Sequence, residues 1–369
     1  MPRQPRVLFL MEDLCFGGTQ LQMLELARRL DRTRFVPSML TLAGKTDMDD
    51  AARNAEIELG HLGAGRSVPR LFFLRLGRAL KKTRPDILVP CTALPNIWGR
   101  IWGRAAGVPV IVGTCRGGGG PRRQHERLLW RLTEQIICNS EDLRGALQVA
   151  GVPASHLVCI PNGVDTLRFV PAELPPSARK PVILCVARLA RDKDHLTLFR
   201  AFERIVQGMP QARLRIVGDG PERPALKAWA ARYAAGENID FFPGTADVRP
   251  HYDEARLFAL ASVREGQPNV LLEAMACGLP VCATAVGGIP ALVGNSALLS
   301  PAGDVRALAE NCMRLLAEPR LGDALGRAGR EGVERKFSFS RMVAAHEALF
   351  TRLWENYEKK YGNREHTKN

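Results

Sequence analysis

A chain of 369 residues exceeds what one hydrophobic core usually supports, so two domains are the starting expectation. With 46% hydrophobic and 24% charged residues the composition is that of a globular protein, which excludes disordered, fibrous and low-complexity classes. The net charge of +14 is lopsided, because residues 1–180 carry 26 Lys and Arg against 16 Asp and Glu, and this points to an anionic partner for the N-terminal half.

In chain order, the apolar run 7–11 is broken by Glu12 and Asp13, too soon for a signal peptide, and no later stretch reads as a membrane span. A cytoplasmic protein is expected. The run is followed by an amphipathic helical pattern at 19–30, with Gly17 and Gly18 at the junction, where missing side chains let backbone amides approach an anion or a sugar. Asp47, Asp49 and Asp50 read as a surface loop and not as a metal-binding D-x-D. The stretch RLFFLRLGRALKK at 70–82 is a basic amphipathic helical pattern, and 87–89 and 96–106 repeat the strand-helix alternation. Trp98, Trp102 and Trp130 are interleaved with Arg100, Arg104, Arg122, Arg123, Arg127 and Arg131, a combination that suits either docking on an anionic membrane face or packing of the tryptophans into the core. A strand at 108–112 leads into GTCRGGGG with Arg116, while His125 reads as a surface or packing residue.

Pro171, Pro175, Pro176 and Pro181 mark the expected interdomain linker, and a second strand-helix series follows at Val182–Val186, 214–217 and Leu257–Leu260. The last region, 337–361, is a long amphipathic helix. Strands alternating with helices predict α/β domains with doubly wound parallel sheets. The nine cysteines show no C-x-x-C pair or zinc-like spacing and read as reduced, buried thiols. No nucleic-acid motif with aromatic stacking positions accompanies the basic residues.

In such sheets ligands bind beyond the carboxyl ends of the strands, so the strand-to-helix turns carry the chemistry. VARLARDKDHLTL sets Arg188 and Lys193 at a helix entrance, where two cations suit a diphosphate leaving group. RIVGDGPERPAL has Arg223 where a dinucleotide fingerprint needs its third glycine, and is read as structural, with Asp219 a candidate cap. SVREGQPNVLLEAMACGLPVCATAVGGIP places Glu265 in the loop, Pro268 near the first helical position and Glu273 one to two turns further on. Backbone amides from Gly266 to Val270, including Asn269, would face the same crevice as both carboxylates, one of which suits vicinal ribose hydroxyls.

This last string resembles the signature of the family 4 glycosyltransferases (glycosyl transferases group 1), and the GGTQ loop, IPNGVDTLRF, the Arg188 to Lys193 spacing and VGDGP follow in the family's order. The resemblance implies a GT-B fold of two Rossmann-like domains facing each other across a cleft: 1–170 binding the acceptor, 171–340 binding the donor, and 341–369 a helix crossing back to the first domain with a tail. It implies a retaining transferase that uses a nucleotide-diphosphate sugar, UDP favoured over GDP, and needs no metal or other cofactor. The acceptor would be a glycan or a lipid-linked hydroxyl, as in cell-surface polysaccharide or glycolipid synthesis.

By the same resemblance Glu273 would hold the donor ribose, Glu265 the transferred sugar, and Arg188 and Lys193 the diphosphate, with Pro243 and Gly244 bordering the base. Gly17 and Gly18 would approach the donor phosphate and acceptor. Many relatives carry a histidine where this chain has Arg116, so a histidine-assisted acceptor step is not expected. A nucleotide-sugar epimerase, a glycan phosphorylase or a non-catalytic nucleotide-sugar binder shares the architecture and is separated from a transferase by sugar transfer itself.

Overall fold

The computed structural model describes residues 3–117 and 125–361. The chain divides into two compact units, Met1–Asn162 together with Phe339–Asn369, and Gly163–Ser338. It therefore enters the second unit at Gly163 and not at 171, and returns at Phe339 and not at 341. The reason is packing: Val164 donates its amide to Phe337 O, and Phe169 stands edge-on to Tyr252, so the residues before the prolines already belong to the second core.

The first unit holds a seven-stranded parallel sheet of β1 (Arg6–Met11), β2 (Val36–Thr41), β3 (Glu58–His61), β4 (Ile87–Pro90), β5 (Val110–Cys115), β6 (Gln135–Cys138) and β7 (Leu157–Cys159), in the order β3-β2-β1-β4-β5-β6-β7. The second holds β8 (Val182–Val186), β9 (Arg213–Val217), β10 (Ile239–Phe242), β11 (Leu257–Leu260), β12 (Val281–Thr284) and β13 (Ala297–Ser300), in the order β10-β9-β8-β11-β12-β13. In β4, β5, β8 and β11 every residue is buried, because helices on both faces of a parallel sheet leave no polar face to alternate. Strand order reverses between β1 and β4 and between β8 and β11, so the loops after β1, β8 and β11 open at switch points.

The helix Phe339–Tyr361 completes the first unit's core with Phe339, Met342, Phe350 and Leu353. Phe350 meets Phe35 edge-on at 6.2 Å, and Glu347 accepts the amide of Asp31 at 2.8 Å.

Much of the tryptophan-arginine segment packs inward, although Arg127 and Arg131 stay exposed. Trp98 stacks on Phe73 at 5.5 Å, and Trp102 covers Gly77 so closely that a Cβ there would lie 2.8 Å from its ring. Arg100 is wholly buried, with Glu126 taking both terminal nitrogens at 2.7 Å and Asn96 a further bond at 2.8 Å. Helical period shows which residues share a face but not which face is covered, and here the aromatic face seals the helices 72–83 and 93–105 together. Arg104 bonds Glu134, and Arg131 lies over Trp130. His125 is exposed and precedes a short helix, whereas Arg122 and Arg123 lie outside the described residues.

The acidic triplet needs a similar correction. Asp47 and Asp50 are exposed as expected, but Asp49 is fully buried, accepting the amide of Thr46 at 3.0 Å beside His61 Nε2 at 2.8 Å. It closes a turn. Among the described residues no helix is long and apolar enough to cross a membrane. All nine cysteines are free, seven of them buried and Cys15 and Cys159 half-buried.

Because the Arg100–Glu126 pair is sealed from water, removing one charge leaves the other uncompensated. Glu126→Gln should lower unfolding free energy by about 3–5 kcal/mol, read from urea unfolding. A loss below 1 kcal/mol would mean that water reaches the pair.

Candidate active site

The turn after β8 lies directly on the turn after β9. Gly218 and Gly220 have φ of 149° and 158°, and a Cβ on either would stand 2.0 Å from Ala187 O or 2.3 Å from Leu189 O. Leu189 donates to Asp219 O at 2.9 Å and Glu222 to Leu189 O at 3.0 Å. VGDGP is thus the bed that fixes the backbone around Arg188. Asp219 does not cap the following helix: its carboxylate accepts the amide of Gly244 at 2.7 Å and pairs with Arg223, so it ties the Pro243–Gly244 turn to this bed.

On that backbone the two cations differ. Arg188 is 68% exposed and, among the described residues, is paired with Asp192 at 3.3 Å, a surface pairing of little energy that leaves its guanidinium available to a ligand. Lys193 is 18% exposed and donates to Glu265 Oε1 at 2.5 Å. Asp194, at φ 43°, begins the helix His195–Gly208 by accepting the amide and hydroxyl of Thr197. His195 is buried, and that burial, with Lys193 beside it, pushes its pKa down to about 4 and keeps it neutral.

The turn after β11 supplies the carboxylates. Glu265 accepts Ser262 Oγ at 2.7 Å on the same oxygen that meets Lys193. Its backbone rests on the V-G-G turn, where Gly287 at φ 53° would put a Cβ 1.9 Å from Glu265 O and Gly288 donates to Gly266 O at 3.0 Å. Pro268 is the N-cap residue of the helix Asn269–Ala276, so Asn269 and Val270 hold the first helical amides, aligned with the positive end of the helix dipole.

Glu273 lies one turn further in, 8% exposed, and accepts Tyr252 Oη at 2.8 Å. Burial raises its pKa, while the Tyr252 bond and the charge of Arg168 pull it back toward the ionised form. Arg168 bonds Ala246 O at 3.0 Å and so spans from this carboxylate to the 243–248 turn.

Of the expected residues, Lys193 and Glu265 meet directly, and Gly244 is joined through Asp219. Gly266, Pro268, Asn269, Val270 and Glu273 share one turn and helix. Gly17, Gly18 and Arg116 belong to the first unit. Gly17 is the exposed, extended N-cap of the helix Gly18–Arg29, behind Asp13, which accepts Cys15 N and Gln20 Nε2. Arg116 follows β5, donating to Asn162 Oδ1 at 2.9 Å and meeting His346 Nε2 at 3.3 Å. His346 Nδ1 lies 2.8 Å from Met342 O, and burial pushes its pKa down to about 3, so the ring is neutral and Nε2 accepts from the guanidinium. Tyr252, Arg168 and Ser262 were not expected at the site, and Asp219 was expected only as a cap. Arg168 lies in IPNGVDTLRF, Asp219 in VGDGP and Ser262 at the start of SVREGQPNV, so Tyr252 is the one outside these motifs. Among the described residues no group of three or more His, Cys, Asp or Glu stands ready for a metal ion.

The Tyr252 bond favours ionised Glu273, so its removal should cost most where Glu273 is charged. Tyr252→Phe should cost about 1–3 kcal/mol at pH 8. The loss should shrink as pH falls through the raised pKa of Glu273, because the protonated carboxyl needs the donor less. Thermal unfolding of both proteins across pH 5–8 measures it. A loss that grows toward acid would overturn this account.

The family model described as Glycosyl transferases group 1 matches residues 180–318, and that described as Glycosyltransferase Family 4 matches 16–168. The GDP-mannose-dependent alpha-(1-6)-phosphatidylinositol monomannoside mannosyltransferase of Mycolicibacterium smegmatis is 34% identical over 48% of this chain and 52% of its own. The putative colanic acid biosynthesis glycosyltransferase WcaL of Escherichia coli is 32% identical over 57% of this chain and 54% of its own. The chain spans about half the length of the curated relatives it matches. Among solved structures, Anabaena HepE in complex with UDP-glucose superposes with a TM-score of 0.83 at 20% identity, over 94% of this chain and 100% of that one. Sucrose-phosphate synthase of Thermosynechococcus elongatus gives 0.83 at 24%, over 96% and 100%. Two family models that tile most of the chain, and two parallel-sheet units of the GT-B kind, make this chain a member of the family 4, group 1 glycosyltransferases.

Proposed function

We propose that this protein is a retaining hexosyltransferase that moves a sugar from a nucleoside-diphosphate donor to a hydroxyl of a glycan or lipid-linked acceptor, without a metal ion. The observation that carries the reading is the Lys193–Glu265 pair beside the amino end of the helix Asn269–Ala276, with Glu273 buried behind it. The diphosphate would take the helix amides and Arg188, and Lys193 would turn from Glu265 to the phosphate. Glu273 would accept the ribose hydroxyls. The bond from the anomeric carbon to the diphosphate oxygen breaks and that to the acceptor oxygen forms on the same face. The acceptor proton passes to the departing diphosphate oxygen, so no histidine is needed at Arg116.

Relatives favour no single base: the mycobacterial enzyme is named for GDP-mannose, and HepE is solved with UDP-glucose. UDP remains our first choice. A thermal-shift panel of nucleoside diphosphates decides it, since a ligand at 100 times its Kd adds about 2.7 kcal/mol. Named activities of the relatives favour cell-surface polysaccharide or glycolipid synthesis.

Docking on an anionic membrane face rests on the helix Phe72–Thr83, where Leu71 and Leu74 are exposed among Arg70, Arg75, Arg78, Lys81 and Lys82. Flotation should recover the protein with anionic vesicles and not with neutral ones at low salt. Equal recovery would remove the membrane from this reading.

Transfer should persist in EDTA, because Arg188 and Lys193 supply the charge that a divalent ion supplies elsewhere. Glu273→Ala should chiefly raise the donor KM, by roughly 10- to 150-fold for a lost charged hydrogen bond. Glu265→Gln should lower kcat more than it changes nucleotide binding, because positive charge grows on the sugar in the transition state. Loss of free-nucleotide binding in Glu265→Gln with full binding in Glu273→Ala would reverse these assignments.

A further inference from the structure

The carboxyl ends of β4, β5 and β6, neighbours in the first sheet, each carry a buried polar atom with no partner among the described residues. After β4 it is Thr92 Oγ1, after β5 Arg116 Nε and after β6 Asn139 Oδ1. Buried polar atoms are nearly always bonded, so three orphans at one end of adjacent strands call for a ligand. Thr92 is also strained: its φ is 71°, a region β-branched residues avoid, and its hydroxyl does not cap the helix Ala93–Ala105 that it precedes. The opening turn of that helix presents the amides of Ala93 and Leu94 to the same end of the sheet.

The charge at this place is unbalanced. Among the described residues the Arg116 guanidinium bonds the neutral partners Asn162 and His346, and no carboxylate pairs with it. The ionisable groups that would favour its charge are the thiols of Cys91, Cys138 and Cys115, and burial pushes them up, Cys91 to about 11 and Cys115 to about 12, so none supplies an anion. A buried guanidinium without a counter-charge is costly, and is tolerated where a ligand brings the charge.

We propose that Arg116, Thr92, Asn139 and the amino end of the helix Ala93–Ala105 form a pocket for a negatively charged group on the acceptor, a carboxylate or a phosphate ester. The identification of the ligand as acceptor rests on the transferase reading above. Arg116 and the helix amides take the anion, and Asn139 Oδ1 accepts from a hydroxyl beside it. The acceptor is then an acidic sugar or a sugar phosphate and not a neutral glycan end.

Calorimetric titration of the full chain with glucuronate, glucose 6-phosphate and glucose tests this. One of the charged sugars should bind at least about 10-fold tighter than glucose, the lower end for a charged hydrogen bond, and which one binds names the anion. Arg116→Gln should abolish that preference while UDP and GDP bind unchanged. Thr92→Gly should raise the melting temperature by releasing strain and weaken the charged sugar, and it decides the matter if Arg116→Gln does not fold. Equal binding of glucose and both charged sugars, or unchanged affinity for the charged sugar in either variant, overturns the pocket. Arg116-dependent binding of a charged sugar with no binding of any nucleoside diphosphate upholds the pocket and sinks the transferase reading.

Discussion

A Cβ at Gly218 would stand 2.0 Å from the carbonyl of Ala187, and one at Gly287 1.9 Å from that of Glu265. Neither is a flexible neighbour that could turn aside. The loops after β8 and β11 are therefore held by backbone lying on backbone, which has no rotamers to explore. Because those loops end in Arg188, Lys193 and Glu265, the placement of three charged side chains depends on the absence of two side chains elsewhere. The second tie runs through Val263, whose amide donates to Asp192 O at 2.9 Å and joins the two loops across the switch point.

On this rigid base the charged groups are graded by exposure. Arg188 is in water, Lys193 and Glu265 share a half-sheltered bond, and Glu273 is buried under Tyr252. Electrostatic attraction strengthens as water is excluded, so the same Coulomb law gives a mobile cation at the rim and a fixed carboxylate at the base. Burial raises the pKa of Glu273, and Tyr252 and Arg168 oppose that rise.

What was legible in the sequence was local. Strand, turn and helix follow one another within a few residues, so Glu265, Pro268 and Glu273 could be placed from spacing, and Lys193 from its position before a helix. Tyr252 could not, because its bond to Glu273 spans 21 residues and nothing around it marks the contact. The same blindness misread Arg100, whose partner Glu126 lies 26 residues away, and Asp49, at the start of a helix, which meets His61 at the end of β3. A charge pattern carries no sign of whether a counter-charge will fold onto it. The domain boundary failed for a related reason: prolines announce a stiff stretch, but it is Val164 and Phe169, upstream of them, that commit to the second core.

The first unit's core includes Met342, Phe350 and Leu353 from the far end of the chain. Its own 162 leading residues leave the ribosome with that groove uncovered, beside Phe35 and Met23, while the whole of Gly163–Ser338 is still to be made. The second unit is continuous in sequence and has every residue of its core to hand as soon as it emerges. Synthesis thus inverts the usual order in which N-terminal domains finish first. The first unit must wait, apolar face open, for the helix Phe339–Tyr361.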